Sequence, residues 1–375
     1  MTTLLRPRGR FALSLLLPLA LFIGCSSTPA DTGHEPPLRT IVGSRDLTDP
    51  ILAEIRPLLP GGPAGAVVGV VAEDGTSVGV VGNDQFSDRT LFEFGSITKV
   101  LTANLLAQLD REGVVEPGQS VTRYLPDGLA AEQWEEVTLF HLATHSSGLA
   151  GFPPNRRPLR IVFTGRLDEP FAGYAEEQLR EGITRARIRG VGEGWRYSNF
   201  AYGVLGYALA QATGRDYADL VAVRLLDPLG MQTATIVGWA NEDRAPPLTR
   251  KGRPAKEWDL GAIAPAGALR GSVMDGIAFL RGSMDACDRD DPVSQANCMA
   301  QQKTGVPVGG PTEMGLGWIR TEDDESLAIW HNGGTGGFSA FLGFNPAIRT
   351  GVVILTNVEG LREIDAIALQ YLAGQ

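Results

Sequence analysis

Three cysteines are all that this 375-residue chain contains, and no two have the CxxC spacing of a zinc or thiol-redox motif. Positive charge is short as well: 33 lysines and arginines against 43 aspartates and glutamates leave a formal net charge of −10. Such a surface repels phosphate, which excludes nucleic acid and disfavours an anionic surface. No glycine-rich run ends in GK[ST], so GGTGGF at residues 333–338 reads as a turn between strands and not as a phosphate loop. His141 and His145 stand four apart, but no glutamate follows His141 and no third ligand is evident. No metal and no organic cofactor is therefore expected, and both histidines read as structural. Internal repeats and long low-complexity stretches are also missing. The remainder, 43% hydrophobic and 20% charged, is ordinary globular composition.

One extended apolar run stands out. Residues Phe11 to Ile23 follow Arg6, Arg8 and Arg10 and are too short to span a bilayer comfortably, so residues 1–24 read as an export signal. The ending LFIGC is similar to a bacterial lipobox, which implies lipidation of Cys25 and a membrane anchor. Phe22 stands where leucine is more usual, and cleavage by the general signal peptidase is the alternative. Loss of residues 1–24 removes three arginines and no acids, taking the charge to −13. Residues 25–45 are polar and proline-rich, the composition of a tether carrying an inert His34, and residues 46–375 form the domain. Its expected location is the cell envelope, with secretion as the alternative. There Cys287 and Cys298 close a small loop as a disulfide or remain two free thiols.

Along the domain, Asp49 and Pro50 suit the start of a helix over PILAEIRPLL. Two β-branched runs around Asp74-Gly75 predict a hairpin. Residues from about 100 to 280 have a mainly helical texture, with segments ending in Gly113 and Gly214 as C-caps. EMGLGWI, SLAIWHN, GGFSAFLGFN and TGVVILTN then read as strands, and EIDAIALQYLA as a closing helix. The expected fold is α/β in the α+β sense: an antiparallel sheet made by both chain ends, flanked by helices, with a helical subdomain inserted between.

Ser96 and Lys99 lie three apart where an apolar helix begins, so they share a face and the amine can reach the hydroxyl. Serine needs a group that takes its proton, and a desolvated lysine can supply one. The spacing alone fits a solvated helix start better than a catalytic pair. Two later elements change that: Tyr197-Ser198-Asn199 and His331-Asn332-Gly333 follow in the order of the SxxK, SDN and KTG motifs of penicillin-recognising enzymes. GxSxG at Gly75–Gly79 lacks the strand-turn-helix context of a nucleophile elbow, so Ser77 reads as a hairpin serine.

With these motifs and flanks such as VTLFHLATHSSGL and GEGWRYSNFAYGVLGYALAQATG, the chain resembles the β-lactamase-related serine hydrolases: class C β-lactamases, serine D-alanyl-D-alanine carboxypeptidases and related esterases. The resemblance implies Ser96 as the acylated nucleophile, Lys99 as its base or electrostatic activator, and Tyr197 as a proton shuttle made acidic by Lys99. It implies Asn199, His331 and Gly333 as substrate-binding residues and the N–H groups of Ser96 and Gly334 as the oxyanion hole. His331 is expected against Tyr197 or a substrate carboxylate, and Gly333 is expected bare because a side chain would crowd substrate. The implied substrate is a small acylated or peptidic molecule: a peptidoglycan peptide, an ester or a β-lactam. His331 replaces the permanent cation of KTG, which favours peptidase or esterase activity over a class C-like β-lactamase. A non-catalytic envelope sensor is the alternative from another class, and it has no need of Ser96, Lys99 and Tyr197 together.

Overall fold

Strand alternation sets the architecture. In the computed structural model, which describes residues 38–73, 75–155, 169–323 and 326–374, β2 (Ala66–Ala72) and β3 (Gly75–Val81) pair antiparallel from Ala66↔Val81 to Ala72↔Gly75. Val68 and Val70 point to one face, Val67 and Val71 to the other, and both faces are buried. β9 (Leu327–Gly334), β10 (Ser339–Asn345) and β11 (Thr350–Thr356) continue the ladder, with β11 against β2. With β1 (Leu38–Val42), β6 (Pro307–Gly309), β7 (Thr312–Met314) and β8 (Ile319–Glu322), the order is β1-β3-β2-β11-β10-β9-β8-β7-β6, antiparallel throughout. The first and last parts of the described chain thus share one nine-stranded sheet. The expected leader, Cys25 and His34 lie outside the described residues.

One face is covered by α1 (Arg45–Ile55) and by the C-terminal helix Glu363–Leu372, through Ile51, Leu52, Ile55, Ile364, Ile367 and Leu372. The other face carries α2 (Thr98–Arg111) and helix Val273–Met284, and beyond them helices Glu176–Arg185 and Asn199–Thr213. α2 is buried from Thr98 to Leu109, as a helix wrapped on all sides must be. Residues Pro36–Gln375 form one unit, so the central helices share the sheet's core.

Three local expectations need correction. The tether stops short of residue 45, because Leu38–Val42 adds to the open edge of β3 with Leu38 opposite Val81 and Thr40 opposite Gly79. Helix α1 begins at Arg45 with Pro50 inside it, since burying Thr48 with Ile51 and Leu52 favours extending the helix N-terminal to the proline. EMGLGWI is two strands and a turn: Gly317 takes φ 72°, the Gly315 N–H reaches the Trp318 carbonyl, and Trp318 folds inward to stack on Phe279.

Cys287 and Cys298 form a disulfide across a sequence separation of 11, tying the turn Ala286–Asp288 to helix Pro292–Ala300, which packs on α2. Closing a loop of that length restrains the unfolded chain by roughly 3 kcal/mol in the chain-entropy treatment. Replacing both cysteines by serine should lower the thermal midpoint by a few degrees while leaving circular dichroism unchanged. An unaltered midpoint would mean that the loop is already ordered without the link.

Candidate active site

The turn that carries Ser96 is built before α2 starts. Gly95 adopts φ 55°, residues Gly95–Ile97 make a 3₁₀ turn, and the Thr98 hydroxyl donates to the Gly95 carbonyl at 2.7 Å while accepting the Leu269 N–H at 2.9 Å. β4 (Phe92–Glu93) pairs with β5 (Arg270–Gly271) just upstream, and the buried Glu93 carboxylate lies 3.0 Å from Arg270. Ser96 is therefore presented by a braced turn and not by a fraying helix end.

Lys99 is 0% exposed. Its Nζ lies 3.0 Å from Ser96 Oγ, 2.8 Å from Asn199 Oδ1 and 2.6 Å from the Ala266 carbonyl. Burial holds the amine well below its ordinary pKa. Nζ donates to all three partners, and the lowered pKa makes loss of one proton easier: the deprotonated amine keeps two N–H bonds to Asn199 and Ala266 and turns its lone pair to the Ser96 hydroxyl.

Tyr197 comes from the loop before helix Asn199–Thr213. Ser198 caps that helix, accepting the Ala201 N–H at 2.9 Å. The segment hangs on His145, whose carbonyl accepts the Arg196 N–H at 2.7 Å and whose Nδ1 accepts the Ser198 N–H at 3.1 Å. The His145 ring packs 4.5 Å from the Tyr197 ring. His145 reaches this position with φ 59°, a rare conformation for a residue with a side chain. Its partner in the sequence pattern, His141, instead accepts the Thr138 N–H in a helix cap. The Tyr197 hydroxyl then donates to Ser96 Oγ at 2.6 Å. Burial pushes the phenol up to about 12, partly offset by its bond to Ser96 and by the charge of Arg362. Lys99, the cation expected to acidify it, has its Nζ 4.8 Å from the ring centre.

Strand β9 closes the site from the other side, and here two sequence expectations change. His331 is buried, and its Nδ1 lies 2.5 Å from the Asn332 carbonyl; among the described contacts no hydrogen bond joins it to Tyr197. Burial and the nearby Lys99 push its pKa to about 3, so it carries no charge at neutral pH. Gly333 is bare for a reason other than substrate crowding: a Cβ there would sit 1.9 Å from the Phe94 carbonyl oxygen. A Cβ on Gly95 would likewise sit 2.6 Å from the Gly334 nitrogen. The two glycines let the nucleophile turn and β9 touch backbone to backbone, with Gly95–Ser96 against Gly333–Gly334. Ser77, the hairpin serine, is spent accepting the Ser44 N–H at 2.8 Å.

A cleft of about 1110 Å³ opens over this centre, and Ser96, Tyr197, Asn199, Asn332, Arg362 and Asp365 are among the residues that line it. Residues 55–374 match the protein family described as Beta-lactamase. The chain belongs to the beta-lactamase family. Among its relatives, the D-alanyl-D-alanine-carboxypeptidase/endopeptidase AmpH of Escherichia coli K12 is 25% identical over 280 residues, 71% of this chain and 70% of that one. Penicillin-binding protein 4 of Amycolatopsis lactamdurans is 28% identical over 72% of both chains. A beta-lactamase of Pseudomonas fluorescens is 25% identical over 72% of this chain and 80% of its own. Among solved structures, a class C beta-lactamase mutant has the same fold with TM-score 0.75 at 21% identity, covering 88% of this chain and 98% of its own. The D-alanine carboxypeptidase AmpC of Burkholderia cenocepacia gives 0.71 at 24% identity, covering 88% and 99%.

Sequence reasoning missed Arg362 and Asp365. In GLREIDAIALQYL they look like ordinary solvent-facing charges at a helix start, and only the packing of that helix beside β9 brings them to the cleft.

Gly333→Ala and Gly95→Ala should both fold less stably, by about 1–3 kcal/mol for the overpacking. They should also lower kcat by about 10²-fold or more, because the Ser96 turn is pushed away from the Gly333–Gly334 backbone. Thermal melts together with acylation rates check this, and full activity in either variant would show that the backbone contact is not needed.

Proposed function

We propose that this beta-lactamase-family serine hydrolase acts through a covalent acyl-enzyme on an amide or ester carbonyl, with D-alanyl-D-alanine-type peptides as the favoured substrate class. The observation that carries the reading is the placement of one hydroxyl, Ser96 Oγ, within 3.0 Å of a buried amine and 2.6 Å of a phenol. Ser96 attacks the carbonyl carbon as its proton passes to Lys99, and the Ser96 and Gly334 amides hold the oxyanion. Collapse breaks the bond to the leaving group, which takes the Tyr197 proton; the tyrosinate is refilled from protonated Lys99. Water then attacks the ester, with the protons moving in the opposite sense. Asn199 keeps Lys99 in place and presents its amide to the substrate.

The neutral His331 supports a peptidase over a β-lactamase; the relatives include proteins named for either activity. Arg362, exposed in the cleft and without an ion pair among the described contacts, supplies a permanent cation for a substrate carboxylate. The same cation fits a β-lactam carboxylate, which is the observation favouring the second reading, class C-like β-lactam hydrolysis. Export and a lipid anchor at Cys25 belong to this proposal. Among the described residues no helix is long and apolar enough to cross a membrane.

The test is labelling of the full chain in detergent with a fluorophosphonate and with a fluorescent penicillin. Wild type should take up the phosphonate and Ser96→Ala should not; Tyr197→Phe should slow acylation by about 10²–10⁴-fold. An unlabelled wild type removes the proposal, and rapid penicillin turnover selects the second reading. The labelling rate should also climb with pH, because deprotonation of Lys99 creates the base, and level off well below pH 10.5. Lys99→Arg should abolish that rise.

A further inference from the structure

Two opposite charges stand one helical turn apart on the cleft wall and are not spent on each other. Asp365 accepts the Asn332 Nδ2 hydrogen at 2.5 Å, whereas Arg362 has no ion pair or side-chain hydrogen bond among the described contacts. The neighbouring Arg250 is already occupied, holding both carboxylate oxygens of Glu363 and the Gly360 carbonyl. Asn332 immediately precedes Gly333, the residue lying against the backbone at Phe94 and Ser96, so Asp365 is one side chain removed from the nucleophile's own strand contact. Arg362 is close enough for its charge to favour the ionised form of both Tyr197 and Asp365. If Tyr197 protonates the leaving group, this wall is the one that the leaving group meets.

We infer that the wall binds a zwitterionic leaving group, Arg362 taking its carboxylate and Asp365 its ammonium. The substrate class is an amide in which the acyl carbonyl is joined to one amine of a diamino acid whose carboxylate and second amine are free. A leaving group with a carboxylate alone draws on the Arg362 charge that also favours the Asp365 carboxylate, and leaves that half-buried carboxylate less well compensated. Burial raises Asp365 to about 6, so it is ionised above neutral pH and a ligand ammonium repays that desolvation. The inference rests on the acyl-hydrolase reading and sharpens its substrate.

The experiment uses the full chain at pH 8 and four amides sharing one N-acyl-D-alanyl group. Their leaving groups are D-alanine (carboxylate only), D-alaninamide (neither charge), 1,3-diaminopropane (ammonium only), and D-2,3-diaminopropionate joined through its α-amine (both). Release of the free amine gives kcat/KM for each. Wild type should prefer the zwitterion over D-alanine by about tenfold, the scale of one charge-assisted hydrogen bond. Asp365→Asn should bring that ratio to about one, and Arg362→Gln should lower both carboxylate-bearing substrates relative to the ammonium-only amide. Equal rates for the zwitterion and D-alanine in wild type would overturn the inference. So would an Asp365→Asn variant that slows all four amides alike, which is the signature of a brace on Asn332. Failure of the acyl-hydrolase reading has a different signature: no amide turns over and Ser96 takes no fluorophosphonate.

Discussion

Everything at the centre of this protein depends on one buried amine. Removing an ammonium from water costs several kcal/mol, and the chain meets that cost by lowering the Lys99 pKa and by surrounding Nζ with the acceptors Ser96 Oγ, Asn199 Oδ1 and the Ala266 carbonyl. Three further features follow from the same burial. Lys99 Nζ stays within 3.0 Å of Ser96 Oγ; Tyr197 keeps its proton because desolvation opposes the phenolate; and His331 is held uncharged by burial and by the positive charge of Lys99. The site is a row of groups joined by hydrogen bonds, held in a water-poor interior where each bond counts for more than it would at the surface.

Neutrality inside displaces charge to the rim. In the KTG pattern a lysine on the edge strand carries the positive charge, but the histidine on β9 faces inward and is uncharged. The cations lining the cleft come from elsewhere: Arg250 from the loop before Trp258, and Arg362 from the start of the C-terminal helix. That helix is anchored through Ile364 and Ile367 in the core on the opposite face of the sheet. The packing that closes the second core thus also delivers the substrate-facing charges, so core and specificity are mechanically linked.

Much of this was legible in the residues. Period-two runs disclosed the strands, a glycine after each long apolar segment disclosed the helix ends, and three short motifs in order disclosed which serine to examine. What was not legible had a common cause. The strand at Leu38–Val42 exists because an open edge of β3 accepts it, and α1 runs past Pro50 because a sheet lies beneath it. Arg362 and Asp365 acquire a role only when their helix is laid beside β9. Each depends on a partner far away in the chain, and local propensity carries no trace of that partner.

Gly333 and His331 show the division most clearly. Sequence alone determined that a glycine and a histidine would stand on a strand near the serine; that this strand is interior, between β10 and β8, and not an edge, came from the structure. Only the tertiary structure decided what they do. The glycine is required by the Phe94 carbonyl behind it, and the histidine is silenced by burial. Residue type can be read from a string of letters; distance to a neighbour's backbone and loss of solvent cannot, since both are properties of two surfaces brought together.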